Sequence, residues 1–282
     1  MEFIQRDKDG TLKLVLSLAD GKIVESVLLT APSGRKTACL SSQIGCALRC
    51  SYCKTGTLGF VRNLTSEEIL LQYETLLKYA GPIKNVVFMG MGEPLANLQA
   101  VQKAMYQLLD PKRYGLGLRH ITISTAGLVP RIYTLAEEGP LVYLTLSLPS
   151  LLEPIRSRLQ PGVSSYSLEE LKEALLYYKR KARKRPTLAI VLLKGINDTQ
   201  AHAREFAKYL QDLKPLVNLV PYNPVSGLPF QPAEAKVIQE YYSLLTSYGI
   251  PTVCRFPRGC SIGGACGQLG STIPELELLE SF

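Results

Sequence analysis

The chain has 282 residues, 46% of them hydrophobic and 20% charged, with a formal net charge of +8. That balance is ordinary for a globular protein and excludes disordered and fibrous classes. No apolar run approaches the roughly 18 residues of a membrane helix, and the charged start MEFIQRDKDG is not a secretory signal. The expected location is the cytoplasm, with no membrane partner. Thiols stay reduced there, so seven cysteines point to metal, redox or nucleophilic chemistry rather than a disulfide scaffold. The positive charge favours an anionic partner such as nucleic acid, and a mildly basic enzyme shows the same balance.

Residues 11–30 alternate apolar and polar positions around Asp20-Gly21, which predicts a β-hairpin. From residue 38 strands alternate with helices. CLSSQIG predicts a strand leading into a cysteine loop. TSEEILLQYETLLKYA predicts a helix opened by a capping box of Thr65 and Glu68. NVVFMG predicts a strand, followed by a helix around 97–109. HITIST and a short helix from about 130 come next, then VYLTLSL with a helix at about 167–184. TLAIVLL precedes a helix at about 199–213, LVNLVPY precedes one at about 232–248, and PTVCRF is a last short strand. Strands such as TLAIVLL read as apolar on both faces, as in a doubly covered sheet.

Six βα units in a row predict a parallel sheet. They are too few for a full eight-stranded barrel. The expected fold is therefore α/β, a partial (βα)6 TIM-like barrel. Residues 1–37 form an N-terminal β-hairpin extension, and residues 38–282 form the core with its C-terminal tail. Ligands belong at the carboxyl ends of the strands, and the cysteine loop follows the first of them.

That loop, CALRCSYCKTG, carries Cys46, Cys50 and Cys53 in a C-x3-C-x2-C spacing. Structural zinc prefers four closed ligands, often as paired C-x2-C units, and no second pair follows. A [4Fe-4S] cluster also takes four ligands. Three local cysteines would leave one iron open to a small molecule.

The spacing, with aromatic Tyr52 just before the last cysteine, resembles the signature of the radical S-adenosylmethionine (SAM) superfamily. With FMGMGEPLAN, ISTAGLVP, LVPYNP and ACGQL in the same order, the chain over roughly 22–270 resembles the RlmN/Cfr family of RNA adenosine methyltransferases. The resemblance implies that Cys46, Cys50 and Cys53 hold the cluster and that its open iron binds SAM. Reductive cleavage of SAM then yields a deoxyadenosyl radical. It implies that Cys266 is the methyl carrier. The radical takes a hydrogen from the S-methyl group, and the carbon radical adds to an adenine carbon. Cys39 is implied as the thiol that resolves the enzyme–RNA bond, leaving a disulfide. Gly92, Glu93, Ser124, Ser147, Leu148, Pro149 and Asn223 align with SAM contacts, and Glu25 with a proton-handling carboxylate. The expected product is methylated at carbon-2 of an adenine in ribosomal or transfer RNA, with carbon-8 the alternative. The expected partners are that RNA and an electron donor such as flavodoxin or ferredoxin, and the expected state is a monomer.

The chain also departs from the family pattern. Pro149 stands where the family has histidine, and Pro supplies neither an imidazole nor a backbone donor. Cys260 and Ser261 replace acidic residues after Arg258-Gly259, which makes Cys260 a spare or competing thiol. Family members usually carry a further N-terminal RNA-contacting domain, whereas this chain is expected to be a short form. Six cations between Lys179 and Arg185 are either phosphate contacts or a solvated helix end. Another radical SAM reaction and a non-enzymatic zinc-containing RNA-binding protein remain the alternatives.

Overall fold

A computed structural model describes residues 2–270. The N-terminal segment forms an antiparallel ribbon of β1 (Glu2–Arg6), β2 (Leu12–Ser17) and β3 (Ile23–Thr30). The β2–β3 hairpin matches the expectation, with Gly21 in the left-handed region at φ 78° as its turn requires. β1 escapes the sequence pattern because EFIQR is an exposed edge strand with no clean alternation. β3 pairs antiparallel with β4 (Lys36–Cys39). The ribbon and the core thus share one sheet, and β4 spans residues 37 and 38.

From β4 onward the sheet is parallel. Its members are β7 (Asn85–Phe88), β8 (Ile121–Thr125), β9 (Tyr143–Ser147), β10 (Thr187–Leu192), β11 (Leu216–Pro221) and β12 (Thr252–Cys254). The ten strands run β1-β2-β3-β4-β7-β8-β9-β10-β11-β12, and among the described residues neither end strand pairs further, so the barrel is open. One helix makes each of the six crossovers: α2 (Ser66–Ala80), α3 (Leu98–Leu109), α4 (Val129–Glu138), α6 (Leu168–Ala182), α7 (Gln200–Tyr209) and α8 (Ala235–Ser247). The Thr65–Glu68 capping box opens α2 as expected, and Ser167 and Glu170 form another on α6. Short α1 (Lys54–Thr57) follows the cysteines, and α5 (Glu153–Leu159) precedes α6.

The predicted strand CLSSQIG is in fact two. β4 stops at Cys39, and β5 (Gln43–Gly45) leaves the main sheet to pair with β6 (Phe60–Asn63). The break is built from polar side chains. Gln72 Oε1 accepts Ser41 N at 2.9 Å, and Gln72 Nε2 donates to Ser41 O at 3.0 Å, replacing ladder partners.

The parallel strands are not all apolar on both faces, although β10 itself nearly is. Thr187–Leu192 alternates half-buried and buried positions. Val86, Phe88, Ile121, Ile123, Leu188 and Ile190 face the helices and are at most 1% exposed. The opposite face is lined by smaller and more polar groups. Register sets Cys39, Val87 and Thr122 in one cross-strand row, and Ser124, Thr145 and Thr187 in the next. The apolar face buries the core, and the polar face lines a barrel interior able to hold a ligand. TLAIVLL hides this because Ala189 and Val191 on the inner face are themselves apolar.

Candidate active site

The cysteine loop is held in shape mainly by its backbone. Cys46 N donates to Gly59 O at 2.7 Å, Ser51 N to Leu159 O at 3.0 Å, and Gly162 N to Leu48 O at 3.1 Å. Arg49 takes a left-handed conformation, φ 52°, which is uncommon without glycine and marks a constrained turn. A Cβ on Gly56 would lie 2.7 Å from Cys50 O, so the chain after the last cysteine folds back with no room for a side chain. Cys46 is buried, and Cys50 and Cys53 are partly so.

Cys46 and Cys50 each feel the neighbouring thiols. Burial pushes Cys46 up to about 11, with Cys53 and Glu93 adding to the rise against the Leu48 N–H. Burial also pushes Cys50 well up, and neighbouring Cys53, Cys46 and Glu93 act in the same sense. Among the described residues, no group of three or more His, Cys, Asp or Glu side chains converges on a single metal position. One zinc ion needs its donors within about 2.0–2.3 Å of a common point. A four-iron cluster takes each cysteine on a different iron, and the three cysteines of this one loop could supply three of its four ligands.

Glu93 sits beside this loop, 4% exposed. Its Oε1 accepts Leu95 N at 3.0 Å, and its Oε2 accepts Ala126 N at 2.9 Å. Burial nevertheless raises its carboxyl to about 7, because these N–H donors offset only part of the desolvation. No lysine or arginine pairs with it among the described residues. A buried carboxylate without a protein cation fits the amino group of a bound SAM. Gln43 completes the pocket wall. Its Oε1 accepts Glu93 N and its Nε2 donates to Asn63 Oδ1, both at 2.8 Å. Gly92, at φ 91°, has no room for a side chain, since a Cβ would lie 2.4 Å from that of Gln43.

Ser124 and Ser147 end adjacent strands with their hydroxyls 3.5 Å apart. Leu148 N donates to Ala189 O at 3.0 Å, and Pro149 O accepts Asn197 Nδ2 at 2.7 Å. The Pro149 departure therefore leaves a loop pinned by Asn197. Gln160 Nε2 bridges Tyr52 OH at 2.9 Å and Ser147 O at 3.1 Å, while its buried Oε1 has no partner among the described residues.

The tail enters this interior. Asn223 Nδ2 donates to Cys266 O at 2.9 Å, Lys54 N to Gly267 O at 2.7 Å, and Thr55 Oγ1 to Leu269 O at 2.8 Å. Glu25 Oε2 accepts Gly270 N at 2.8 Å and lies 3.2 Å from Lys13 Nζ, with both side chains at most 1% exposed. Farther back, Gly259 N and the Ser261 hydroxyl donate to Asp9 and Asp7 of the β1–β2 turn. The N-terminal ribbon and the cysteine loop thus hold the segment bearing Cys266. Cys266 is solvent-accessible, yet the protein around its sulfur raises its thiol pKa through desolvation, with Cys53 and Cys260 adding and Arg255 opposing. Burial raises buried Cys39 strongly, and Cys266 is its next cause. Electrostatic contact therefore runs from Cys39 through Cys266 and Cys53 to Cys46, Cys50 and Glu93. All seven cysteines are free thiols.

Several participants carry no sequence motif. Lys13 acts through its ion pair with Glu25, and Gln43, Ser41, Asn97 and Asn197 act by side-chain bonds to backbone, such as Asn97 Nδ2 to Ser42 O at 2.8 Å and Leu64 O at 2.7 Å. Only a polar residue inside an apolar run could have marked them. The Lys179–Arg185 cations lie elsewhere. Lys179 Nζ donates to Leu213 O and Lys184 Nζ to Leu141 O, both just before strand starts. Lys181 pairs with Glu137 at 2.9 Å. Lys179 and Lys184 thus sit at the amino-terminal ends of the strands, opposite the end at which Ser124 and Ser147 stand.

Residues 40–207 match the Radical SAM superfamily model. The "Probable dual-specificity RNA methyltransferase RlmN" of Treponema pallidum is 45% identical over 267 residues, covering 95% of this chain and 78% of that protein. The "Dual-specificity RNA methyltransferase RlmN" of Lawsonia intracellularis is 41% identical over 280 residues, covering 95% and 78%. The crystal structure of a radical SAM methyltransferase from Sphaerobacter thermophilus superposes with a TM-score of 0.90 at 37% identity, covering 96% of this chain and 81% of that one. The chain belongs to the radical SAM superfamily and, within it, to the RlmN family of dual-specificity RNA methyltransferases.

Proposed function

We propose that the protein methylates an adenine carbon of RNA, carbon-2, with Cys266 carrying the methyl carbon and Cys39 releasing the product. The observation that supports this most is the docking of the Cys266 segment on the cysteine loop, where Lys54 N, next to Cys53, donates to Gly267 O at 2.7 Å, with Cys39 near enough for Cys266 to add to the rise of that buried thiol. A carrier must reach the cofactor on one side and the resolving thiol on the other, and one thiol here neighbours both. Cys46, Cys50 and Cys53 would hold the cluster, and Glu93 the amino end of SAM, within the wall made by Gly92, Ser124, Ser147, Leu148 and Pro149. When bound, cluster and SAM supply a methyl group and a hydrogen-abstracting radical.

The remaining steps fall to the chain. Cys266 presents its sulfur from a tail whose backbone is fixed by Asn223, Lys54, Thr55 and Glu25. In this reading Asn223 and Glu25 act by positioning the tail, and residues 1–37 are the dock for it. Both key thiols are held protonated at rest, Cys39 chiefly by burial, which limits premature oxidation. Once carbon bridges Cys266 sulfur and the adenine, Cys39 thiolate attacks that sulfur. The ring carbon's own hydrogen would leave as a proton and the adduct's surplus electron would return to the cluster that lent it; the S–C bond then breaks, its electron pair takes a proton to complete the methyl group, and a Cys39–Cys266 disulfide remains. Ribosomal and transfer RNA are the proposed substrates. The proposed setting is a cytoplasmic monomer supplied with electrons by a flavodoxin- or ferredoxin-type donor.

Trapping tests the reading. Cys39→Ala with SAM, reductant and RNA should yield RNA covalently joined at Cys266, and Cys39→Ala/Cys266→Ala should yield none. If Cys39→Ala turns over without an adduct, Cys39 is not the resolving thiol.

A further inference from the structure

Radical chemistry in this family, on the reading above, needs one electron delivered to the cluster of Cys46, Cys50 and Cys53. We infer that the outer surface of the cysteine loop is a docking site for a small acidic one-electron carrier protein. The carrier gives up one electron and the cluster gains it, with no bond made and no proton moved.

Three observations carry this. First, the loop residues between the first two ligands form the protein surface. Ala47 and Arg49 are exposed, while Cys46 and Leu48 beneath them are buried. Among the described residues no other layer of protein covers Ala47 and Arg49, so a docked carrier can approach the ligand loop directly. Second, the surface is shaped. Ala47, Leu48, Arg49, Phe60, Pro161 and Gly162 line a shallow cavity of about 370 Å³. Phe60 is 47% exposed and pairs in register with Gly45, the residue before Cys46, which places it within roughly 5 Å of the loop's start by cross-strand spacing. An exposed aromatic in an apolar hollow is the kind of anchor that protein interfaces use. Third, the charge is complementary to an acidic partner. The lining contains one arginine and no carboxylate, on a chain of net charge +8. A small apolar centre with a cationic edge suits a transient electron-transfer encounter, steered by charge and quick to release.

The hollow is also rigid. A Cβ on Gly162 would lie 2.6 Å from Leu48 Cα, so the two segments touch backbone to backbone. One on Gly45 would lie 1.9 Å from Gly59 O, which locks β5 and β6 together. A preorganised surface loses little entropy on docking.

The test compares a protein donor with a small reductant, using the reconstituted full chain. The variant is Phe60→Glu, with Tyr106→Glu on α3 as a surface control. Binding of fluorescently labelled flavodoxin, and separately ferredoxin, is read by anisotropy. Cluster reduction by each reduced donor is followed by stopped flow, and SAM cleavage driven by dithionite is measured alongside. Phe60→Glu should weaken donor binding and slow donor-driven reduction by about tenfold or more. It should keep the iron content and dithionite-driven cleavage of the parent, and Tyr106→Glu should match the parent throughout. Arg49→Gln should flatten the salt dependence of donor association. Unchanged donor binding and reduction in Phe60→Glu would overturn the assignment. So would loss of iron and of dithionite-driven cleavage together, since Phe60 would then merely support the loop. If the parent cleaves no SAM with either reductant, the catalytic reading itself falls and the docking site with it.

Discussion

Glu93 offers a quantitative test of the proposed SAM pocket before any cofactor is added. Its carboxyl ionises near the ordinary 4.5 in the unfolded chain and at about 7 in the folded one, because burial outweighs the N–H groups of Ala126 and Leu95. Between these values the folded state binds more protons, so rising pH destabilises it. The cost is absent below the unfolded value and complete above about 7. Linkage integrated from pH 5 to 8 gives a loss of about 2.5 kcal/mol. Glu93→Gln cannot ionise and carries instead a constant cost of about 1–3 kcal/mol, from an amide N–H facing the Leu95 or Ala126 donor. Urea unfolding of the metal-free reduced protein at pH 5, 6, 7 and 8 measures both. Cys46 and Cys50 stay neutral over that range, because burial raises both thiols, and groups common to both proteins cancel. The parent-minus-variant difference should fall by about 2.5 kcal/mol from pH 5 to 8. A difference constant within about 0.5 kcal/mol would refute the claim that an unpaired buried carboxylate waits for a ligand.

Other outcomes follow from the same geometry. Lys13→Met should destabilise the fold by about 3–5 kcal/mol in urea unfolding, because it breaks a buried pair, and Lys13→Met/Glu25→Gln should recover part of that loss. Gly92→Ala should abolish SAM binding in equilibrium dialysis, since its Cβ has no space against Gln43 and its φ of 91° disfavours a side chain. Asn223→Ala should lower methylation of Cys266 by peptide mass mapping while leaving the iron content intact, because it releases the Cys266 carbonyl. Replacing Lys179, Lys181 and Arg183 with Gln should leave RNA affinity and its salt slope unchanged in titrations, as Lys179 and Lys181 are engaged at the far end of the strands.

The order of strands and helices was legible because the apolar periods are long and helices such as α2 and α6 open on capping residues, Thr65 and Ser167. The loop of Cys46, Cys50 and Cys53 was legible because a cluster's ligands lie close along the chain. The tail dock was not. Lys13 and Glu25 are neighbours only through the β2–β3 register, and nothing in either residue reveals burial. Gln43 was equally silent, since its role is to hold the backbone of Glu93, fifty residues away in sequence. α5 was missed because EPIRSRL is short and turns Arg156 into the core, where its guanidinium donates to Val163 O at 3.1 Å and Ser164 O at 3.2 Å. The basic run misled because charge alone does not tell which end of a barrel a helix terminus occupies.

The central claim is that the methyl carbon reaches adenine through the sulfur of Cys266. Nucleosides from RNA treated with the reconstituted enzyme and methyl-trideuterated SAM, analysed by mass spectrometry, test it directly. Transfer through Cys266 removes one hydrogen from the S-methyl group before the carbon joins the base. The product adenine should therefore carry its methyl on a ring carbon with two deuterons. Retention of all three deuterons, or methylation on an adenine nitrogen, would contradict the account.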